Sequence, residues 1–346
     1  MKSNDIQWVD FTRVVAIFSV VLLHSAAPLL YRYNTISSFN WWVGNIYDSA
    51  VRPCVPLFFM ITGYLLLGKQ ESVKDYLLKR SKRILIPFIV WSIIYVFWRG
   101  YLGETITPLT FLRLIFIPAY YHLWFFYAII WLYLYIPILR VFMQYLKKGF
   151  LYYFIILWFI AVLPIPFIEK AIPYVSEMYV YITYTGYLVV GYLLGNTQTN
   201  KKHAIQSLLV SFICLLITIT GTYFLTAQSN REYLAYGEYF HHYSSPNIIL
   251  QSVSIFIFLK HFWENALISS HQKTILKVLS SASFGIYLIH PIVLDVLAAG
   301  WLGFSISAFS KSAIYSIPTT TTLAFGLSFI IIILLQKIPL IRVCVS

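Results

Sequence analysis

Charge is scarce in this sequence. Asp, Glu, Lys and Arg together make up 11% of its 346 residues, against about 25% in an ordinary soluble chain. With 60% hydrophobic residues and a mean hydropathy of +0.76, a soluble globular protein is excluded. Carboxylates are scarcer still, 12 against 25 Lys and Arg, which leaves few acids for general acid–base work. The three cysteines, Cys54, Cys214 and Cys344, are odd in number and far apart, so neither a disulfide framework nor a cysteine metal site is written in them. There is no GxxxxGK[ST] phosphate loop, no GxGxxG after a strand and no GxSxG elbow. Any energy for chemistry must therefore arrive with an activated substrate. No internal repeat is visible, which weighs against the repeat-built transporter folds. No segment is polar and mixed enough for a soluble domain, so a single integral-membrane domain over 1–346, with no soluble domain appended, is expected.

What the sequence does have is long apolar runs. At about 20 residues per crossing, spans are expected near 11–30, 50–68, 84–103, 122–143, 150–167, 177–195, 205–226, 246–263, 278–297 and 313–335. That is an all-α polytopic membrane protein with about ten transmembrane helices. Several spans contain proline (Pro56, Pro87, Pro137, Pro164, Pro291), expected here as kinks. The first span is too long, and lacks the small-residue pattern, for a cleavable signal peptide, so it is expected to stay as the first helix. With both termini in the cytoplasm, only Arg32, Arg52, Arg99, Arg113, Lys170, Arg231 and Lys311 fall outside, and the other 18 of the 25 Lys and Arg fall inside. This positive-inside bias orients the chain in a cell membrane. It also disposes of nucleic acid as the reason for the net charge of +13, because the cations sit in short loops between apolar spans.

The candidate site residues are the ionisable groups that the apolar runs carry. In RVVAIFSVVLLH, Arg13 and His24 lie eleven steps apart, so a helix puts them on one face, about 16 Å apart along its axis. Such intramembrane groups are functional by default, and His24 is a candidate base near neutral pH. The structural alternatives are an interhelical hydrogen bond for His24 and a snorkelling anchor for Arg13. His122, in YYHLWFF, and His290, in FGIYLIHP, fall at a similar depth. No paired-ligand spacing marks the three histidines as a metal site. His241 and His242 are adjacent, point different ways and are expected in a loop. Asp295, Asp48 and Glu177 are the carboxylates placed to orient a histidine, and spacing does not choose among them. Arg52 runs against the charge trend; it suits a substrate phosphate or an oxyanion, or else pairs with Asp48 four residues earlier. In KQESVKDYLLKRSKR, Arg80 and Arg83 share a face if the segment is helical. They could clamp a cytosolic polyanion, anchor topology or bind lipid headgroups. Residues 31–49 and 227–245 are expected to be longer outer loops.

Taken together, WVDFTRVVAIFSVVLLHS, RPCVPLFFMITGYLLLG, KRSKR, YYHLWFFYAIIWLYLYIPILR and SSASFGIYLIHP resemble the acyltransferase-3 family of bacterial membrane acyltransferases. Residues 150–275 match that family in hydropathy only. The resemblance implies transfer of an acetyl group from acetyl-CoA to a hydroxyl of a glycan or lipid-linked glycan at the bacterial inner membrane. Arg13 and His24 match the family's helix-1 pair, Arg80 and Arg83 its Arg-x-x-Arg element, and Arg52 its outer arginine. Thr62 stands where the family has a serine. The roles implied are His24 as base, Arg13 or Arg52 on negative charge or on the donor, and Arg80 and Arg83 on the CoA phosphates. His122 and His290 would bind the acceptor or relay a proton. No permanently bound cofactor and no metal are implied. The competing expectation is a transporter or flippase for a lipid-linked saccharide.

Overall fold

Inside a bilayer every backbone group must be hydrogen-bonded within the protein, so long apolar runs cross as helices. The computed structural model describes residues 7–171, 176–228 and 237–345, and its regular elements there are all helical. In chain order they are α1 (Gln7–Leu30), α2 (Ser38–Val51), α3 (Cys54–Leu66), α4 (Val73–Tyr101), α5 (Pro108–Arg113), α6 (Trp124–Tyr145) and α7 (Lys148–Val162). There follow α8 (Ile165–Ala171), α9 (Ser176–Gly195), α10 (Lys201–Gln228), α11 (Pro246–Glu264), α12 (Ser270–Ala299), α13 (Ala313–Leu335) and α14 (Pro339–Val345). Single 3-10 turns at Tyr121–Leu123 and Gly237–His241 lead toward α6 and α11.

Among the described residues, eight stretches are long and apolar enough to cross a membrane, α2 and α3 counting together as Ser38–Leu66. The protein is thus an all-α polytopic membrane protein. The expected spans 177–195 and 246–263 are helices too, α9 and α11, outside those eight. In α11 the reason is polar content: it turns Asn247, Gln251, Ser252 and Lys260 into the protein interior.

Three sequence expectations change. Residues 38–51 are a packed helix rather than loop, because Ser37 caps the amide of Asn40 and the Trp41 indole donates to the Leu30 carbonyl. Pro53 breaks this helix from α3 and leaves Arg52 at the joint. The basic stretch expected as loop is the first part of α4, capped by Ser72, so Arg80 and Arg83 are one turn apart on a helix. Finally, Pro164 does not kink a helix but sits in the turn between α7 and α8.

Helix α1 is the central post, packed against α2, α3, α11, α12 and α13. Helices α3 and α9 pack backbone to backbone. A Cβ on Gly63 would lie 1.9 Å from the Leu188 carbonyl oxygen, and one on Gly191 would lie 2.1 Å from that of Met60. Small residues let membrane helices touch backbone to backbone, where association rests on van der Waals contact. Gly191→Leu has nowhere to go but into the α3 backbone. It should cost at least the 1–3 kcal/mol or so of core overpacking, read as a lowered Tm of the detergent-solubilised protein. An unchanged Tm would mean that α3 and α9 do not pack this way.

Candidate active site

Five helices each turn one face toward a common interior cavity of about 420 Å³. From α1 come Arg13, Val20 and His24; from α3, Val55, Phe58, Thr62 and Leu65; from α6, Phe125, Ile129 and Tyr133. From α12 come Lys277, Ser280, Ser281, Phe284 and Tyr287, and from α4 Arg80, Arg83 and Ile84. Most of these residues recur three, four or seven apart along their helix, the spacing of one helical face. The cavity is chemically polarised. At one end gather Arg13, Arg80, Arg83 and Lys277, with Asp10 as the carboxylate among its lining residues; at the other are His24 and His122.

The basic end has order as well as charge. Arg13 Nη1 donates to Asp10 Oδ1 and to Ser280 Oγ, both at 3.1 Å, and Ser280 donates to the same Asp10 oxygen at 2.6 Å. Arg13 is thereby fixed between α1 and α12, far down α1 from His24. Arg80 lies over the Tyr76 ring at 5.8 Å, and its buried Nε has no hydrogen-bond partner among the described residues. A buried Arg140 also lies over the Tyr76 ring, at 4.4 Å, and donates to the Leu66 carbonyl and to Glu71 Oε1 at 2.8 and 2.9 Å. It ties the end of α3 to the loop that leads into α4.

That hydrogen bond from Arg140 holds the Glu71 carboxyl below its ordinary value. A carboxylate depressed in the folded state stabilises the fold above its unfolded pKa, near 4.3. The contribution is lost as pH falls through the lower folded value. Wild type should therefore unfold at a higher temperature than Glu71→Gln at pH 7, with the gap closing below about pH 4. A gap independent of pH would remove the ionised pair as its cause.

At the opposite end three histidines from three segments converge. The His24 and His290 rings are stacked with centroids 5.3 Å apart, and His290 meets the His122 ring edge-on at 5.4 Å. The Tyr121 ring meets His24 as well, tilted, with centroids 4.8 Å apart. His290 is fully buried, and its Nδ1 faces the Ile286 and Tyr287 carbonyls at 3.1 and 2.8 Å. Two carbonyls can only accept, so Nδ1 carries the proton and Nε2 is left as an acceptor. Nε2 has no partner among the described residues. His122 is held by its backbone, whose carbonyl accepts from the Tyr287 hydroxyl.

Of the carboxylates singled out in the sequence, Asp295 and Asp48 are committed elsewhere and do not orient this cluster. Asp295 accepts from Trp98 Nε1 at 2.8 Å and from the Tyr120 hydroxyl at 2.6 Å, bracing the segment just before His122. Asp48 accepts from Arg52 Nε at 2.5 Å and lies 3.6 Å from His241 Nδ1. The side chain of Glu177 lies outside the described residues. His290 is oriented by main-chain carbonyls, which no residue-type search could have found.

A second, wider cavity of about 1360 Å³ opens on the far side of His24. Arg52, Tyr121, Trp124, Tyr127, Trp131, Tyr184, Tyr243 and Asp295 are among its walls. His241, expected in a loop, ends the Gly237–His241 turn and is buried, with Nε2 3.0 Å from Ser49 Oγ. His242 contacts Ser244 Oγ through Nδ1 and, like His241, lines the wide cavity. The Arg52–Asp48 pair anticipated as the bland alternative is thus present, but buried: Asp48 is wholly inaccessible, while Arg52 reaches the wide cavity. Consecutive residues divide the two spaces, Tyr121 lining the wide cavity and His122 the narrow one, while His24 lines both. Among the described residues no three His, Cys, Asp or Glu side chains are grouped to hold a metal ion.

Such a passage, basic at one end and crossed by a histidine, agrees with a comparison against family models: one described as an acyltransferase domain matches residues 6–337. The chain belongs to the acyltransferase-3 family. The match spans every element from α1 to α13, including the stretch 150–275 where the sequence offered hydropathy alone. No curated protein and no solved structure matches the chain. A membrane acyltransferase is therefore the activity its family assigns.

Proposed function

We propose that this acyltransferase-3 protein transfers an acetyl group from acetyl-CoA to a hydroxyl of a cell-surface or lipid-linked glycan. The observation that carries the reading is that His24 borders both cavities, one with a basic mouth and one walled by aromatic rings. The stretches HLWFF and VPLFFMITGYL resemble those of an O-acetyltransferase that acts on enterobacterial common antigen, which supports a glycan acceptor. The 18-to-7 distribution of Lys and Arg supports a cytoplasmic basic mouth, with both termini on that side of a bacterial inner membrane.

The donor enters from the cytosol. Its phosphates meet Arg80, Arg83 and Arg13, which offer charge-assisted hydrogen bonds, and its pantetheine arm runs up the apolar stripe of α3 and α6. The glycan lies in the wide cavity, its ring faces on Tyr121 and Trp124 and its polar groups toward Arg52. His24 takes the proton of the attacking hydroxyl as the new C–O bond forms. The tetrahedral oxyanion accepts from an N–H of His122, which lines the narrow cavity beside His24. The C–S bond then breaks, and the CoA sulfur leaves with the proton held by His24. His290 holds the neighbouring imidazoles by ring contact, stacked on His24 and edge-on to His122. Arg13, fixed far down α1, holds donor rather than oxyanion.

The wide aromatic cavity would equally suit a transporter or flippase of a lipid-linked saccharide. Radiolabelled acetyl-CoA and the host's lipid-linked glycans, given to the detergent-solubilised protein, separate the two. Label in the glycan with one free CoA thiol per acetyl supports the transferase. Glycan movement in vesicles with no CoA released would replace it with the flippase.

A further inference from the structure

The wide cavity has a wall that is not made for water. Ile115 and Phe116, in the segment between α5 and the 3-10 turn, are 66% and 73% exposed, and Trp131 on α6 is 55% exposed; all three also line the cavity. Trp131 belongs to a membrane-crossing stretch, on the same outward face as Leu134 and Ile138. Exposed side chains of this size on such a helix face hydrocarbon. The short α5 before this segment buries none of its residues and carries exposed Leu109 and Leu112. The cavity therefore has a side opening onto the bilayer, in the leaflet opposite the basic mouth. Just below its lip is Arg113, exposed, on the turn whose carbonyl accepts from the amides of Phe116 and Ile117. Among the described residues it has no carboxylate partner.

We infer that this opening is a lateral portal for an acceptor whose saccharide is joined through phosphate to a long lipid chain. The chain lies along Ile115, Phe116 and Trp131, the phosphate meets Arg113 at headgroup depth, and the sugar projects inward to His24. A cation flanked by large apolar side chains at an interface complements an anionic headgroup on an apolar chain. A water-soluble glycan would leave both without a partner. The inference rests on the transferase reading for the saccharide, not for the lipid and its phosphate.

The test uses binding alone. The full-length protein is placed in phosphatidylcholine nanodiscs containing a photoreactive polyprenyl phosphate, with no acetyl-CoA. Cross-links should concentrate on peptides covering 112–118 and 127–131 and exceed those on the lipid-facing residues of α10. Arg113→Gln should weaken them about fivefold, the effect of one cation at an anionic headgroup, and Arg113→Lys should restore them. Phe116→Ser should reduce them as well, and both side chains are exposed, so folding is not at stake. Cross-links spread evenly over the lipid-facing helices, or indifferent to Arg113, would overturn the portal. That result in an enzyme active on lipid-linked glycan would leave the transferase standing. Portal labelling in a protein that transfers no acetyl group would keep the lipid site and remove the transferase.

Discussion

Replacing His24 by alanine should lower kcat for acetyl transfer by about 10²–10⁴-fold, the usual contribution of a positioned general base. The KM for acetyl-CoA should change little, because the donor is met at the basic end of the cavity, where Arg13 sits about three turns down α1 from His24 beside Arg80 and Arg83 of α4. An equal fall in kcat and kcat/KM is the signature of an interaction made in the transition state. His24→Gln keeps a polar side chain of similar reach and removes the base, so it should be as inactive as alanine. The packing around position 24 includes Tyr121 and His290, so unfolding temperatures of both variants are measured alongside. Full kcat in a folded His24→Gln enzyme would dismiss His24 as the base.

The second large effect lies at the other end of the cavity. Arg80→Gln with Arg83→Gln should raise the KM for acetyl-CoA by about 100-fold or more, since hydrogen bonds to charged groups contribute about 1.5–3 kcal/mol each. At saturating donor, kcat should stay near the wild-type value, the reverse of the His24 pattern. Raising salt should weaken donor binding in the wild type more than in the variant, which has fewer charges to screen. Arg13→Gln is a poorer probe of donor binding. It would also leave Asp10 and Ser280 without their bond to α1, mixing a stability effect into the kinetics. An unchanged KM in the double variant would make Arg80 and Arg83 a topological or lipid-facing cluster.

Much of this was legible in the sequence because helical spacing and the cost of ionisable groups in lipid are strong constraints. They put Arg13 and His24 on one stripe, and the structure brings His24 together with His122 and His290. Periodicity could not say that 38–51 is helical, since its Trp, Asn and Ser residues look like an interfacial loop until Trp41 is seen bonded to the Leu30 carbonyl. Nor could it separate the two uses of a histidine nitrogen. The main-chain carbonyls that fix His290 have no residue-type signature, and the burial of His241 against Ser49 depends on a contact between distant segments. A weaker signal was present for the donor-side wall of α12. Lys277, Ser280, Ser281, Phe284 and Tyr287 repeat at i, i+3, i+4, i+7 and i+10, a polar-to-aromatic stripe along one helix face. The division of labour between Tyr121 and His122 needed coordinates, because only the turn at 121–123 sends neighbouring side chains to different cavities.

Direct passage of acetyl from one side to the other through His24 is tested most simply by sidedness. Sealed vesicles of both orientations, loaded with the host's lipid-linked glycans, are given radiolabelled acetyl-CoA from outside only. Inverted vesicles, which present the basic mouth, should acetylate the glycan, and right-side-out vesicles should not until they are made permeable. Labelling of intact right-side-out vesicles at the same rate would contradict it, because the donor would then be reaching His24 from the wide cavity.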